Sequence, residues 1–244
     1  MLNYLYLFFV GTFIGSYFSS LVFSNKKPII SKRRSSCQSC NNKLQSWMLI
    51  PVFSYLALSG KCHYCKEDIS MAYPLLELIT GSSFVLLSLN YTYDLNQIFI
   101  LSIMALFIAS SFSDQKNLEI SDTLIYSTLT FGLIYMLLNF NIDLIYGFLT
   151  GGLFFEIQRY ISKGKWVGQA DAYFAATIGC IMGFKLTLLT IFLSYWLATI
   201  FVTPKLLSRS INMKSKLPFI PFLTLSFFLV NFFYDIIVIN LNYI

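Results

Sequence analysis

Residues 98–114 read IFILSIMALFIASSFSD, from Ile98 to Asp114. No charge interrupts the stretch until the carboxylate that ends it. A helix apolar on every side has no face to offer water, so it belongs in a large core or a membrane. Seven other stretches read the same way, and the eight lie at roughly 4–24, 72–90, 98–113, 123–140, 144–158, 171–184, 186–203 and 217–239. Each membrane span takes about 20 mostly apolar residues. The chain is 244 residues long, 57% hydrophobic and 11% charged, where a soluble domain carries about 25% charged residues. The polar shell of a soluble protein is missing. This composition excludes a soluble enzyme, a disordered chain and a secreted disulfide scaffold. It predicts an all-α, polytopic membrane helix bundle of about eight spans, whose solvent is the lipid bilayer.

The loops predict the orientation. The first apolar stretch has no basic residue before it, and Lys26 and Lys27 follow it. It reads as a retained anchor with its N-terminus outside. Connections 25–71, 114–122, 159–170 and 204–216 then face the cytoplasm. They hold Lys26, Lys27, Lys32, Arg33, Arg34, Lys43, Lys61, Lys66, Lys116, Arg159, Lys163, Lys165, Lys205, Arg209, Lys214 and Lys216, which is 16 of the 17 basic residues. Only Lys185 falls elsewhere. The net charge of +6 is thus topogenic, and no nucleic-acid partner is needed to explain it. Residues 171–203 are expected to be two spans split near Lys185, since a single one would place Lys205 and its basic neighbours outside.

One polar insertion interrupts the apolar pattern. The expected organisation is a first transmembrane helix over 1–24, a cytoplasmic module over 25–71 and a transmembrane core over 72–244. No internal repeat is expected. In the module Cys37 and Cys40 form one C-x-x-C pair and Cys62 and Cys65 another, with 21 residues between them. Two such knuckles can bring four thiolates to one tetrahedral zinc. Four protein ligands leave no open position, so that zinc is structural. His63 reads as a surface residue beside the set, and Cys180 as an apolar core residue.

His63 is the only histidine, so nucleophilic catalysis by a Ser-His or Cys-His pair has no base. Any hydrolase here must work with carboxylates. Asp122 reads as a helix N-cap and Asp171 begins a span, whereas Asp114 ends a helix, where the macrodipole disfavours negative charge. With eight spans, Asp114 and Asp171 lie at one depth on one side. Two carboxylates that meet share a proton, one activating water and the other polarising a carbonyl. From their own helix ends, the proton is expected on Asp114 and the charge on Asp171.

These residues resemble a known family. Asp114 through Asp122, with Ser121 at its proline position, resembles the D-x6-P-D stretch of type IV prepilin peptidases. Gly168-Gln169-Ala170-Asp171 resembles their G-x-G-D motif, with Ala170 in place of glycine. The double C-x-x-C, Pro51 to Tyr55, Gly60-Lys61-Cys62, Tyr73 to Leu78 and the opening Gly11-x3-Gly15-Ser16 are similar as well. Leu217 to Phe222 is similar to the competence branch of Gram-positive bacteria.

The resemblance implies a membrane aspartic peptidase of the bacterial cytoplasmic membrane. It would cut short leaders from prepilin and pseudopilin precursors with Asp114 and Asp171. In many members S-adenosylmethionine also serves to N-methylate the new terminus. The basic leaders would meet Glu67, Asp68, Glu119, Asp122 and Glu156. Two other readings compete: an impaired relative acting as a scaffold in pilus or competence assembly, motivated by Ala170, and a transporter carrying protons on Glu77.

Overall fold

The computed structural model describes residues 2–23, 35–89, 94–209 and 216–241. Lys26, Lys27, Lys32, Arg33, Arg34 and Lys214 lie outside the described residues. Apart from two isolated β-bridges, every regular element among the described residues is helical. The longer helices are α1 (Leu2–Phe23), α3 (Ala72–Leu87), α4 (Leu95–Asn117), α5 (Asp122–Leu138), α6 (Ile142–Ser162), α7 (Gln169–Leu207), α8 (Ile220–Phe232) and α9 (Tyr234–Leu241). A short α2 (Phe53–Ala57) lies in the cysteine module.

By length and composition, α1, α4 and α7 suffice to cross a membrane, while α3, α5 and α8 are shorter apolar helices. The distribution of side chains agrees with a lipid solvent. Phe9, Phe13 and Tyr17 of α1 and Phe192, Trp196 and Ile200 of α7 are exposed, whereas Thr80, Ser111, Thr128, Thr177 and Thr190 are buried. Each of those five hydroxyls donates to a carbonyl one turn back on its own helix. Small and hydroxylated residues face other helices because they allow close approach and can satisfy themselves locally, while lipid accepts the large apolar groups. This is a membrane protein.

The chain divides into two compact units, residues 1–86 and 87–244. In the first, α1 and α3 approach through glycine. A Cβ on Gly11 would lie 2.8 Å from the Gly81 Cα, and one on Gly15 would lie 2.9 Å from the Glu77 Cα. Any larger residue at these two positions would push the helices apart.

In the second unit α6 and α7 make the corresponding approach. Gly151 lies against the Ala175 backbone, and Gly147 against Gly179 and Gly183. At Gly183 the helix breaks, with φ 73° and ψ −176°. The residues before and after the break both lie along α6, but in opposite order. Ala175 and then Gly183 meet α6 residues 151 and then 147, after which Tyr195 stacks on Phe155 and bonds Gln158. The chain therefore reverses at Gly183, two residues before Lys185, and α7 is a hairpin of limbs 169–182 and 184–207. Two sequence readings need correction. Asp122 is the first residue of α5 and Ser121 is its N-cap. The expected last span is divided at Phe233 into α8 and α9.

The backbone at Gly183 occupies a region open essentially to glycine alone, and a Cβ there would also strike the Asp143 carboxylate. Gly183→Ala is expected to destabilise the protein by roughly 1–3 kcal/mol, read from unfolding of the purified protein in detergent. An unchanged midpoint would remove the hairpin-turn argument.

Candidate active site and metal centre

Asp114 lies one turn before the end of α4 and is 9% exposed; Asp171 lies in the first turn of α7 and is 7% exposed. Below them the buried Phe107 ring of α4 packs on Phe174 of α7 at 4.8 Å and on Phe227 of α8 at 5.1 Å. Ser111 and Thr224 add a hydroxyl–hydroxyl bond of 2.6 Å between α4 and α8. Three helices thus converge, and Asp171 feels the charge of Asp114 through space.

Each carboxylate is also held by backbone. Gly168 N–H donates to Asp171 Oδ2 at 2.8 Å. This is half of a capping box: the residue three places into the helix reaches back to the N-cap amide, but Gly168 has no side chain to return the bond. Ile220 N–H donates to Asp114 Oδ2 at 3.2 Å, and the Phe219 amide is oriented on the same carboxylate. Asp114 therefore sits at the C-terminus of its own helix and at the N-terminus of α8. That changes the basis for placing the proton on Asp114, which counted only the macrodipole of α4. With donors from α8 facing it, Asp114 has the same kind of support for its ionised form as Asp171.

Of the other acids expected at the cytoplasmic ends of spans, none is as enclosed. Glu119 and Asp122 are exposed, and Glu156 is paired with Arg159 at 2.5 Å. Sequence reasoning missed Phe219 and Ile220 as functional positions because their contribution is main-chain. The prolines at 218 and 221 were the available signal, since proline in the first turn marks a helix start.

In the first unit, the four Sγ atoms of Cys37, Cys40, Cys62 and Cys65 lie within 4.8 Å of one another, with Cys37 and Cys65 at 3.9 Å. Four thiolates about 2.3 Å from one tetrahedral zinc stand about 3.8 Å apart, so the set fits that ion. His63 is exposed, with its ring edge-on to Trp47 and Tyr64, and Cys180 is fully buried.

The two knuckles share one design, an internal repeat that the sequence reading missed. Cys37 N–H donates to Asn42 O and Asn41 N–H to Cys37 O; Cys62 N–H donates to Glu67 O and Lys66 N–H to Cys62 O. Asn41 and Lys66 hold matching positive φ angles of 56° and 61°. The bridges Ser36 to Lys43 and Lys61 to Asp68 close both loops. The Cys65 backbone N–H foremost, with the Tyr64 N–H and the neighbouring thiols, lowers the pKa of the Cys62 thiol to about 7, against the effect of burial.

Buried Glu77 anchors the module. It accepts the Val52 N–H at 2.7 Å and a bond from Ser16, while Gln38 donates to Phe23 O and to the Tyr73 hydroxyl, both at 2.7 Å. Val52 has φ 60° and ψ −48°, and Phe53 N–H closes a three-residue turn onto Pro51 O. A β-branched residue there is strained and persists only where its surroundings enforce it. Glu77 supplies that enforcement, and with it the transporter reading loses its motive.

The profile of the bacterial peptidase A24 N-terminal domain matches residues 9–91, and that of the type IV leader peptidase family matches residues 100–203. The chain belongs to this family. It is 29% identical to the prepilin leader peptidase/N-methyltransferase of Pseudomonas aeruginosa, over 79% of this chain and 69% of that protein. It is 28% identical to the protein of the same name from Bacillus subtilis, over 91% and 90%. The Neisseria gonorrhoeae relative is 28% identical over 68% of this chain and 60% of its own length. No solved structure matches.

Ala170, the departure from the family's motif, lies within the first turn of α7 and is not among the residues with positive φ. Alanine is unstrained in that conformation.

One zinc per chain is expected on Cys37, Cys40, Cys62 and Cys65, with protons released on binding. Elemental analysis of purified protein checks this: Cys37→Ser should lower the metal content, and an unchanged content would remove the ligand assignment.

Proposed function

We propose that the chain cleaves the leader of prepilin and pseudopilin precursors at the cytoplasmic face of the bacterial cell membrane, with Asp114 and Asp171 as the catalytic pair. The observation that carries this reading is a pair of buried carboxylates within electrostatic reach of each other, on helices joined by the Phe107–Phe174 contact, in a chain of the type IV leader peptidase family. Two carboxylates brought together on a substrate would share one proton. The ionised carboxylate takes a proton from water as the oxygen attacks the scissile carbonyl, and the protonated one donates a hydrogen bond to that carbonyl. As the bond to nitrogen breaks, the leaving amine receives a proton from the pair. Gly168 and Ile220, by donating from fixed backbone, hold the carboxylates in place without competing for the proton.

The same reading gives the four cysteines a structural zinc and gives the new N-terminus a methyl group from S-adenosylmethionine, in keeping with the names of the relatives. The resemblance of Leu217 to Phe222 to the competence branch supports placement there. The helical conformation of Ala170 removes backbone strain as a reason for treating the chain as an impaired scaffold.

Asp114→Asn and Asp171→Asn should each lower kcat for cleavage of a prepilin-like substrate by about 1000-fold or more. Substantial cleavage by Asp171→Asn would sink the mechanism. The multi-pass topology is tested separately, with single cysteines in intact cells. A cysteine at Lys185 should label from outside and one at Lys205 only after permeabilisation; external labelling of both would overturn the assignment of sides.

A further inference from the structure

Tyr195 lies on the returning limb of α7, outside every motif noted in the sequence. Its ring is 6.2 Å from Phe155, nearly parallel at 10°, and its hydroxyl donates to Gln158 Oε1 at 2.9 Å. Both anchors belong to α6, so the side chain is oriented at its ring and at its tip. A further side of the ring meets Phe219 at 5.1 Å, tilted by 45°.

Phe219 is the residue from which α8 starts. Its backbone is helical, with φ −98° and ψ −27°, its own side chain makes no cap hydrogen bond, and the side-chain acceptor recorded at the helix start is the Asp114 carboxylate. The entry to α8 is held from two sides, by the Asp114 carboxylate on the Ile220 amide and by apolar contacts on the Phe219 ring. Phe155 and Tyr195, at 5.7 Å and 5.1 Å from the Phe219 ring, form one side of those contacts. The amides of Phe219 and Ile220 are the groups that face Asp114. We propose that Tyr195 is a positioning residue for the aspartate pair: its ring holds Phe219, and through it the backbone amides that fix Asp114. Tyr195 also lies within electrostatic reach of Asp171. The proposal deepens the reading that Asp114 and Asp171 hydrolyse the leader, and rests on it.

The role assigned is geometric, and displacing a catalytic group by about 1 Å can cost a rate factor near 100. Tyr195→Leu should lower kcat by about 10- to 100-fold with KM unchanged, and Tyr195→Phe, which keeps the ring, should stay within about 3-fold of wild type. Phe219→Leu should reproduce the loss. The double variant Tyr195→Leu, Phe219→Leu should be no slower than either single one, because both act through one contact. Hydrogen exchange at the Ile220 amide supplies a readout that needs no catalysis: protection should fall in Tyr195→Leu and persist in Tyr195→Phe. Losses that multiply in the double variant, or full protection of Ile220 in Tyr195→Leu, overturn the proposal. If both aspartate variants are inactive while Tyr195→Leu cleaves at the wild-type rate, the positioning role falls and the aspartate reading stands. If Asp171→Asn cleaves, the aspartate reading falls, and Ile220 exchange still decides whether Tyr195 holds the α8 entry.

Discussion

The hydrogen bond from the Ile220 backbone to Asp114 joins the end of α4 to the start of α8. A helix end buried from water must find acceptors for its unpaired amides within the chain, and Ile220 is 1% exposed. A buried carboxylate has the complementary need for donors. Asp114 and the α8 entry satisfy each other. The geometry of the site depends on that exchange, because α8 also packs on the Phe107 ring that holds α7. Gly168 performs the matching service for Asp171 from the N-cap of α7. Each acid is thus fixed by main chain, which cannot swing away as a long side chain can.

A second constraint is how closely α6 and α7 approach. Gly147 and Gly151 on one helix, and Ala175 and Gly179 on the other, leave backbone against backbone. Without a hydrophobic driving force between spans, such contact and the dispersion it permits are what associate helices. Because Gly183 then reverses the chain, the second limb of α7 returns along the same α6 and delivers Tyr195 to Phe219. The small residues thereby determine which aromatic groups surround the aspartates.

In the first unit the cysteine module is held at two points. Gln38 fastens the first knuckle to α1 and α3, and Glu77 fastens the turn at Val52. Glu77 reaches this position because Gly15 lets α1 approach α3 and brings Ser16 alongside. A metal on the four cysteines would make the rigid part of the module. The bonds of Gln38 and Glu77 connect it to the helices, so a buried acid that sequence alone offered as a proton carrier serves as a structural acceptor.

Composition, apolar runs and cysteine spacing made the membrane helices and the four-thiol cluster legible from the sequence. Each is legible locally: a run of apolar residues this long suits lipid, and two C-x-x-C knuckles at this spacing can meet on one ion. Asp114 and Asp171 stood out as acids at span ends, and Lys185 marked a reversal that the backbone makes at Gly183. The chain itself could not reveal what each carboxylate touches. Ile220 is separated from Asp114 by over a hundred residues, and its contribution is an N–H that every residue except proline carries. Tyr195 and Phe219 look like ordinary membrane aromatics until α7 folds back. Tertiary structure alone decided the partners of the dyad, because they follow from helix approach and chain reversal, and neither is written in any single stretch of sequence.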